Sequence, residues 1–380
     1  MKILIVTEYF PKSDKCEVRG GVEARCFYIA KELSKKNDVI ILTSWEQGTK
    51  KEDYFSGIKV IRCGKQRKYS QSGSILARIS FTISSYLVGR SIKTDIVEGY
   101  NFLSYLSAYY IAKKNNAKSI ATYHDVWLGS WIKNVGFITG IFGELYERLN
   151  LSRKWDCFIA NSYFTKENLV KVRINKDRIN VVYNGVDLEN YNKINAIKKG
   201  NPTICCIARL VSYKRVDDLI RALSIIKNKI PNIKCNIIGT GPEEDNLKNL
   251  SKRLDLDKNV DFLGTLEDHK EVIKKIKESH LFCLPSIVEG FGMVVVEAMA
   301  ANVPYICSDI KPIKEITNNG KGGLLFSAGN YNDLADKILE LLDNKKLYIV
   351  KKKEAILFVK QYDWKLIVKK LQKIYDCLLK

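Results

Sequence analysis

Nowhere in the 380 residues do about 18 apolar residues run together, so no segment reads as a membrane-spanning helix. The apolar run after Met1 is too short for the core of a secretory signal. Ten cysteines include no C-x-x-C pair, and a chain of this length needs no disulfide staples; several, among them Cys205, Cys206, Cys235, Cys283 and Cys307, fall in apolar runs and are expected as buried, reduced thiols of a cytosolic protein. Histidine is scarce, at three. No convincing D-x-D pair offers itself to Mg²⁺, since Asp217 and Asp218 open a predicted helix, and the expectation is a site with no metal.

What the chain has in excess is positive charge. Lys and Arg number 63 against 42 Asp and Glu, a net +21, which suits an anionic partner. The excess is uneven: residues 1–200 carry 33 basic and 19 acidic side chains, 201–345 carry 20 of each, and 346–380 carry 10 and 3. Hydrophobic residues at 46% and charged residues at 28% are ordinary for a folded chain, and the length suits two or three domains.

Short β-branched runs alternate with longer stretches of helical period, the pattern of βαβ units on a parallel sheet. Strands are expected at 3–7, 39–43, 59–62, 96–98, 119–122, 157–160 and 179–182. After a polar stretch they resume at 203–208, 234–238, 260–263, 281–284, 303–307 and 323–326. The organisation is α/β throughout: a first Rossmann-like domain over 1–187, a linker over 188–201, a second over 202–360, and a closing helix over 361–380.

The most informative segment is Glu289-Gly290-Phe291-Gly292-Met293-Val294-Val295-Val296-Glu297. Glu289 lies after a strand, two glycines permit close backbone approach, and the helix that follows offers free amides and a positive dipole end to a phosphate. Glu297 lies two turns further, about 12 Å along the axis. Two carboxylates flanking an anion-binding helix start suit a nucleotide sugar, although taken singly Glu297 reads sooner as a solvated helix residue and Glu289 as an ordinary N-cap neighbour. Arg209 and Lys214 follow another strand of the same domain, where ligands of open α/β sheets collect, and could neutralise a diphosphate. Gly239-Thr240-Gly241-Pro242 lacks the third glycine of a dinucleotide fingerprint and is expected to shape a loop over the base. In the first domain, Arg19-Gly20-Gly21 precedes a helix, and His124-Asp125 ends a strand at the edge where a ligand would sit.

Taken in order and at comparable spacing, Gly20-Gly21, His124-Asp125, Asn184-Gly185-Val186-Asp187, Arg209 with Lys214, Gly239-x-Gly241-Pro242 and Glu289-x7-Glu297 resemble the group 1 (GT4-like) retaining glycosyltransferases. The resemblance implies a GT-B fold: two Rossmann-like, doubly wound domains facing across a cleft, with the C-terminal helix packed back on the first. It implies transfer of a sugar, with retention, from a nucleotide donor, UDP- or GDP-linked, to a hydroxyl of a glycan or lipid-linked acceptor in cell-surface polysaccharide, glycolipid or glycoprotein-glycan assembly. The donor is a substrate, and no further cofactor is expected. By the same resemblance Arg209 and Lys214 hold the diphosphate, Glu297 the ribose hydroxyls, Glu289 with the backbone of Gly290, Phe291 and Gly292 the transferred sugar, and Met293 and Val294 also bind the donor. Gly20 and Gly21 approach the phosphate from the other domain, Gly239 and Gly241 line the donor, and His124 and Glu289 stand at the reaction centre. Two positions depart from the pattern, Arg215 and Asn302, where glycine is common.

The first domain is also the basic one. Residues 65–93 mix Lys65, Arg67, Lys68, Arg78, Arg90 and Lys93 with Ile75, Leu76, Ile79, Phe81, Ile83, Tyr86 and Leu87, and 126–150 is aromatic and glycine-punctuated. Such stretches suit contact with an anionic bilayer, or a core-facing helix and an acceptor lid or buried helix pair. The expectation is a cytoplasmic protein, peripheral on the inner face of the membrane, with no nucleic-acid partner. The competing reading is a basic nucleic-acid- or membrane-binding α/β protein without catalysis.

Overall fold

A computed structural model describes residues 1–14, 20–69 and 75–380; Cys16, Arg19 and residues 70–74 of the basic stretch lie outside the described residues. The chain divides into two compact units, one of residues Met1–Asn184 and Trp364–Lys380, the other of Gly185–Asp363.

Among the described residues the first unit is built on eight strands: β1 (Lys2–Val6), β2 (Asp38–Glu46), β3 (Glu52–Phe55), β4 (Ile58–Arg67), β5 (Ile96–Gly99), β6 (Lys118–Tyr123), β7 (Cys157–Ala160) and β8 (Ile179–Val181). Their order in the sheet is β3-β4-β2-β1-β5-β6-β7-β8, parallel except for β3, which runs antiparallel to β4. Helices α1 (Gly21–Leu33), α2 (Ile75–Gly89), α3 (Tyr105–Asn115), α4 (Trp131–Val135), α5 (Phe137–Leu151) and α6 (Tyr163–Lys171) connect them. The central strands are near-continuous apolar runs because helices cover both faces; Ile3, Leu4, Ile5 and Val6 are all buried. The chain builds outward from β1 to β4 and then returns to place β5 on the other side of β1. That reversal leaves a crevice at the carboxyl ends of β1 and β5.

The second unit has six strands, β9 (Thr203–Ile207), β10 (Lys234–Ile238), β11 (Val260–Gly264), β12 (Leu281–Leu284), β13 (Tyr305–Ser308) and β14 (Gly323–Phe326), all parallel in the order β11-β10-β9-β12-β13-β14. Its helices are α7 (Leu188–Lys193), α8 (Val216–Ile226), α9 (Glu244–Arg253), α10 (His269–Glu278), α11 (Met293–Ala300), α12 (Lys311–Thr317), α13 (Tyr331–Asp343) and α14 (Lys345–Val359). Here the reversal falls between β9 and β12. A core of Ile204, Cys206, Leu219, Leu223, Ile237, Cys283, Ile306 and Leu334 fixes the sheet against its helices.

Residues 188–201 are not all linker. Asp187 caps α7 by accepting the Asn190 amide at 3.1 Å, and buried Tyr191 anchors that short helix. The closing helix α15 (Trp364–Leu379) belongs to the first unit, where Trp364 stacks on Tyr28 of α1 with ring centroids 5.7 Å apart. Its Tyr375 hydroxyl donates to buried Glu98 on β5, which also accepts from Thr122. Burial holds the Glu98 carboxyl above its ordinary range. Eight of the nine described cysteines are buried as expected; Cys377, on the outer side of α15, is exposed.

Candidate functional site

The second unit's crevice is formed by two loops, one after β9 and one after β12. The first runs from Ala208 through Arg209 to a single 3-10 turn, Ser212–Lys214, and the second from Pro285 to Gly292. The Ile287 amide donates to the Tyr213 carbonyl at 3.0 Å, tying the loops together, and Lys214 Nζ lies 2.6 Å from Glu289 Oε1. Both side chains are mostly screened from solvent, at 17% and 11% exposure, so the attraction is weakly attenuated. One ammonium proton is thereby committed; the other two, and the second carboxylate oxygen, are left for further partners. Arg209 is exposed at the end of β9.

The paired glycines after β10 support this loop from below. A Cβ on Gly239, which has φ +127°, would lie 2.0 Å from the Ala208 carbonyl oxygen, and one on Gly241 would lie 2.2 Å from that of Leu210. With side chains absent, the Leu210 amide reaches the Thr240 carbonyl at 2.9 Å and the Glu243 amide reaches the Leu210 carbonyl at 3.0 Å. Gly239 and Gly241 therefore serve backbone packing that sets the height of Arg209, a role the sequence pattern did not specify.

Gly292 caps α11 at φ +91°, and Phe291 is buried edge-on against Tyr362 at 6.1 Å. Gly290 precedes this turn, and the amides of Met293 and Val294 open the helix. Glu297, two turns on, meets a residue that no motif singles out. His269, the first residue of α10, places Nε2 3.5 Å from Glu297 Oε1. Burial pushes the imidazole down, but the Glu297 hydrogen bond and charge, with Asp268 and Asp187, outweigh it and hold the group above its ordinary value. The sequence analysis does not single out His269, and only the fold brings it to Glu297.

Both departures from the family pattern fall in left-handed backbone. Arg215 has φ 52° and grips buried Asp218 with Nε at 2.8 Å and Nη2 at 2.6 Å, while Asn302 has φ 59°. Glycine suits such dihedrals without a Cβ clash, which is a physical reason for its use there. Asp217 and Asp218 do open α8, and among the described residues no cluster of ligating side chains could hold a metal ion.

In the first unit Gly20 and Gly21 are exposed at the start of α1, with Gly20 in extended backbone at φ −172°. His124 follows β6, next to the end of β5, and its Nε2 lies 3.0 Å from the Tyr100 carbonyl oxygen. A carbonyl only accepts, so Nε2 carries the hydrogen and Nδ1 keeps a lone pair. Burial, then the charge of Arg25, lowers this imidazole to about 3. His124 is thus a neutral acceptor at physiological pH, unfit to donate a proton from an imidazolium. Arg25 is fully buried on α1 and binds the Tyr183 carbonyl at 3.0 Å and Asn184 Oδ1 at 2.6 Å.

The loop after His124 is pinned from α5. Buried Glu147 accepts the Trp131 indole at 2.5 Å and the Trp127 amide at 3.3 Å, and Glu144 accepts the Gly129 amide at 2.8 Å. Segment 126–150 is a helix pair, but not a buried one: Phe137, Ile138, Phe142 and Leu145 on α5 are 56–85% exposed. On α2, Leu76, Ile79, Ile83 and Leu87 are exposed as well. Thr82 of α2 and Tyr146 of α5 both reach the Leu103 carbonyl, so the two helices are neighbours.

Two family models match the chain, Glycosyltransferase Family 4 over residues 19–190 and Glycosyl transferases group 1 over residues 187–358. An uncharacterized glycosyltransferase of Haemophilus influenzae is 32% identical over 43% of this chain and 46% of its own length. One subunit of the human phosphatidylinositol N-acetylglucosaminyltransferase is 24% identical over 94% of this chain and 73% of its own. Among solved structures, Anabaena HepE in complex with UDP and glucose superposes with a TM-score of 0.78 at 18% identity, over 99% of this chain and 100% of that one. The two matched models overlap at residues 187–190, just past the boundary between the units, and together span 19–358, and the fold is GT-B: the chain belongs to the group 1, GT4-like glycosyltransferases.

Proposed function

We propose that this glycosyltransferase moves a sugar, with retention and without a metal, from a nucleotide diphosphate donor to a hydroxyl of a glycan or lipid-linked acceptor. The observation that carries the reading is the Lys214–Glu289 pair, which joins the loops on either side of the second unit's switch point. Breaking a sugar–phosphate bond puts negative charge on the departing diphosphate and positive charge on the anomeric carbon. Arg209, the free protons of Lys214 and the first amides of α11 are fixed charges or dipoles for the former. Glu289, held in place by Lys214, has one oxygen left for the sugar hydroxyls, and Glu297 takes those of the ribose.

In this mechanism the acceptor oxygen attacks the anomeric carbon from the face the phosphate leaves, and its proton passes to the departing phosphate oxygen. His124 supplies a lone pair at Nδ1 to a sugar hydroxyl rather than an acid. A UDP or GDP donor fits the family, and a UDP complex of the Anabaena relative supports trying UDP first. Thermal shift and slow hydrolysis against UDP-, GDP- and ADP-sugars test the assignment. Lys214→Ala is expected to lose stabilisation by nucleotide, while Glu289→Ala keeps most of it and loses turnover. Equal behaviour of both variants and the parent overturns the site.

The acceptor reading rests on the exposed apolar faces of α2 and α5 and on exposed Lys65, Lys68, Arg90 and Lys93, which suit an anionic bilayer carrying a lipid-linked acceptor; Arg67 and Arg78 of the same basic stretch are paired instead with Glu8. No described helix is long and apolar enough to cross a membrane. A relative acting on phosphatidylinositol supports this choice. Flotation with anionic vesicles at low salt should carry the protein up, and Ile138→Asp with Phe142→Asp should abolish that; absence of binding by the parent removes the membrane from the proposal. A protein without catalysis finds no support in either unit.

A further inference from the structure

The second unit contains a titratable contact that the proposed reaction does not use. His269 sits between two elements: α11, which carries Glu297, and α7, which carries Tyr191 and is capped by Asp187. Its ring meets Tyr191 edge-on, with centroids 6.2 Å apart, and the tyrosine is 1% exposed, so the imidazole has little room to turn. Its position at the start of α10 is fixed by the N-cap, Asp268, whose Oδ1 accepts the Lys270 amide at 2.8 Å. The groups facing the ring are Asp268 on its own helix, Glu297 from α11, and Asp187 and Tyr191 from α7.

A carboxylate that reads two adjacent ribose hydroxyls must present its oxygens in one plane. Glu297 is a flexible side chain at the surface of α11, 16% exposed, and free rotation about its last bonds would dilute the productive orientation. An immobilised donor 3.5 Å from one oxygen selects that orientation before the ligand arrives. We propose that His269 is a positioning residue for the nucleotide, orienting Glu297 so that the nucleoside is bound more tightly when the imidazole is protonated. This rests on the reading of Glu297 as the ribose-binding carboxylate. Tyr191 and Asp187 complete the device: Asp187, which closes the Asn184-Gly185-Val186-Asp187 motif, and Tyr191, on the helix it caps, both face the histidine.

A charge-assisted hydrogen bond is about twice as strong as a neutral one, so the effect grades with pH rather than switching. Linkage gives the sign: the group's value is raised, its stabilising contact with Glu297 is complete at low pH, and the contact weakens as pH rises through the titration.

The test is calorimetric titration of the full chain with UDP from pH 6 to 9, using His269→Gln as the reference. Glutamine keeps an N–H donor but no titration in this range, so its profile carries the phosphate's own ionisation and every other group. The parent should bind UDP more tightly than His269→Gln at the acid end, by several-fold, with the difference closing toward pH 9. His269→Ala should bind about tenfold more weakly at the acid end, the worth of a hydrogen bond to a charged group. Parent and His269→Gln profiles that run parallel over the whole range overturn the proposal, as does an unchanged affinity in His269→Ala.

Glu297→Gln, titrated with UDP and 2′-deoxy-UDP, separates this from the reading beneath it. If that variant discriminates the two nucleotides as the parent does, the ribose assignment of Glu297 fails. If it loses the discrimination while both histidine variants behave as the parent, only the role of His269 fails.

Discussion

Glu147 offers a measurable consequence of burying a carboxyl group among indoles. It lies on α5 at 3% exposure, accepts from Trp131 and Trp127, and is raised from 4.5 to about 7 by burial, with Asp125 and Glu144 adding to the effect. Between those two values the folded chain holds a proton that the unfolded chain has released, so stability from this group is complete below pH 4.5 and declines until about pH 7. At 1.36 kcal/mol per pH unit the decline amounts to about 3 kcal/mol.

Glu147→Gln keeps an oxygen for the indole and removes the titration. The variant should therefore be at or below the parent's stability at pH 4.5 and gain on it steadily to about pH 7, after which the difference is constant. All five tryptophans fall within the first unit, so urea unfolding followed by tryptophan emission reports that unit. Taking the difference between variant and parent at each pH cancels every other titrating group. A difference that is flat from pH 4.5 to 8 refutes the argument. Because the same carboxylate pins the loop behind His124, turnover should follow a profile with the same midpoint and be insensitive to pH there in the variant.

Opposite glycine exchanges should have opposite signs. Asn302→Gly relieves a left-handed residue whose buried Oδ1 has no partner, and is expected to raise stability by about 1 kcal/mol in thermal unfolding. Gly239→Ala sets a methyl 2.0 Å from the Ala208 carbonyl; the loop carrying Arg209 must move, and nucleotide stabilisation in thermal shift should be lost with it. Tyr375→Phe strips a donor from buried Glu98 and should cost the first unit about 1–3 kcal/mol in tryptophan-monitored unfolding, with no effect if the hydroxyl is replaced by water.

Apolar strands were legible to the residue: 157–160, 234–238 and 281–284 inside their sheets, and 323–326 at an edge, stand where the apolar runs lie. The edge strand β3, Glu-Asp-Tyr-Phe, was not, because it owes its order to antiparallel pairing with β4 rather than to its own pattern. Helix α12 is seven residues with proline in its first turn, too short for a period to show. In the site, the loops after β9 and β12 could be placed from strand ends, and Lys214 does meet Glu289. His269, Arg25 and Glu147 could not be found so, since each gains its meaning from a partner distant in sequence: Glu297, Asn184 and Trp131.

The first unit is discontinuous, and this shapes how the chain can be made. Its sheet is complete by residue 181, yet the tyrosine that satisfies Glu98 and the tryptophan that covers Tyr28 emerge from the ribosome only after the whole second unit. During synthesis the nascent first unit holds Glu98 with Thr122 but without the Tyr375 hydroxyl, and Tyr28 without Trp364 stacked on it, while some 180 further residues are added. Its last step of consolidation therefore waits until the second unit has been made, and a stop codon before residue 364 would leave that half unfinished while sparing Arg209, Lys214, Glu289 and Glu297 of the second unit's crevice.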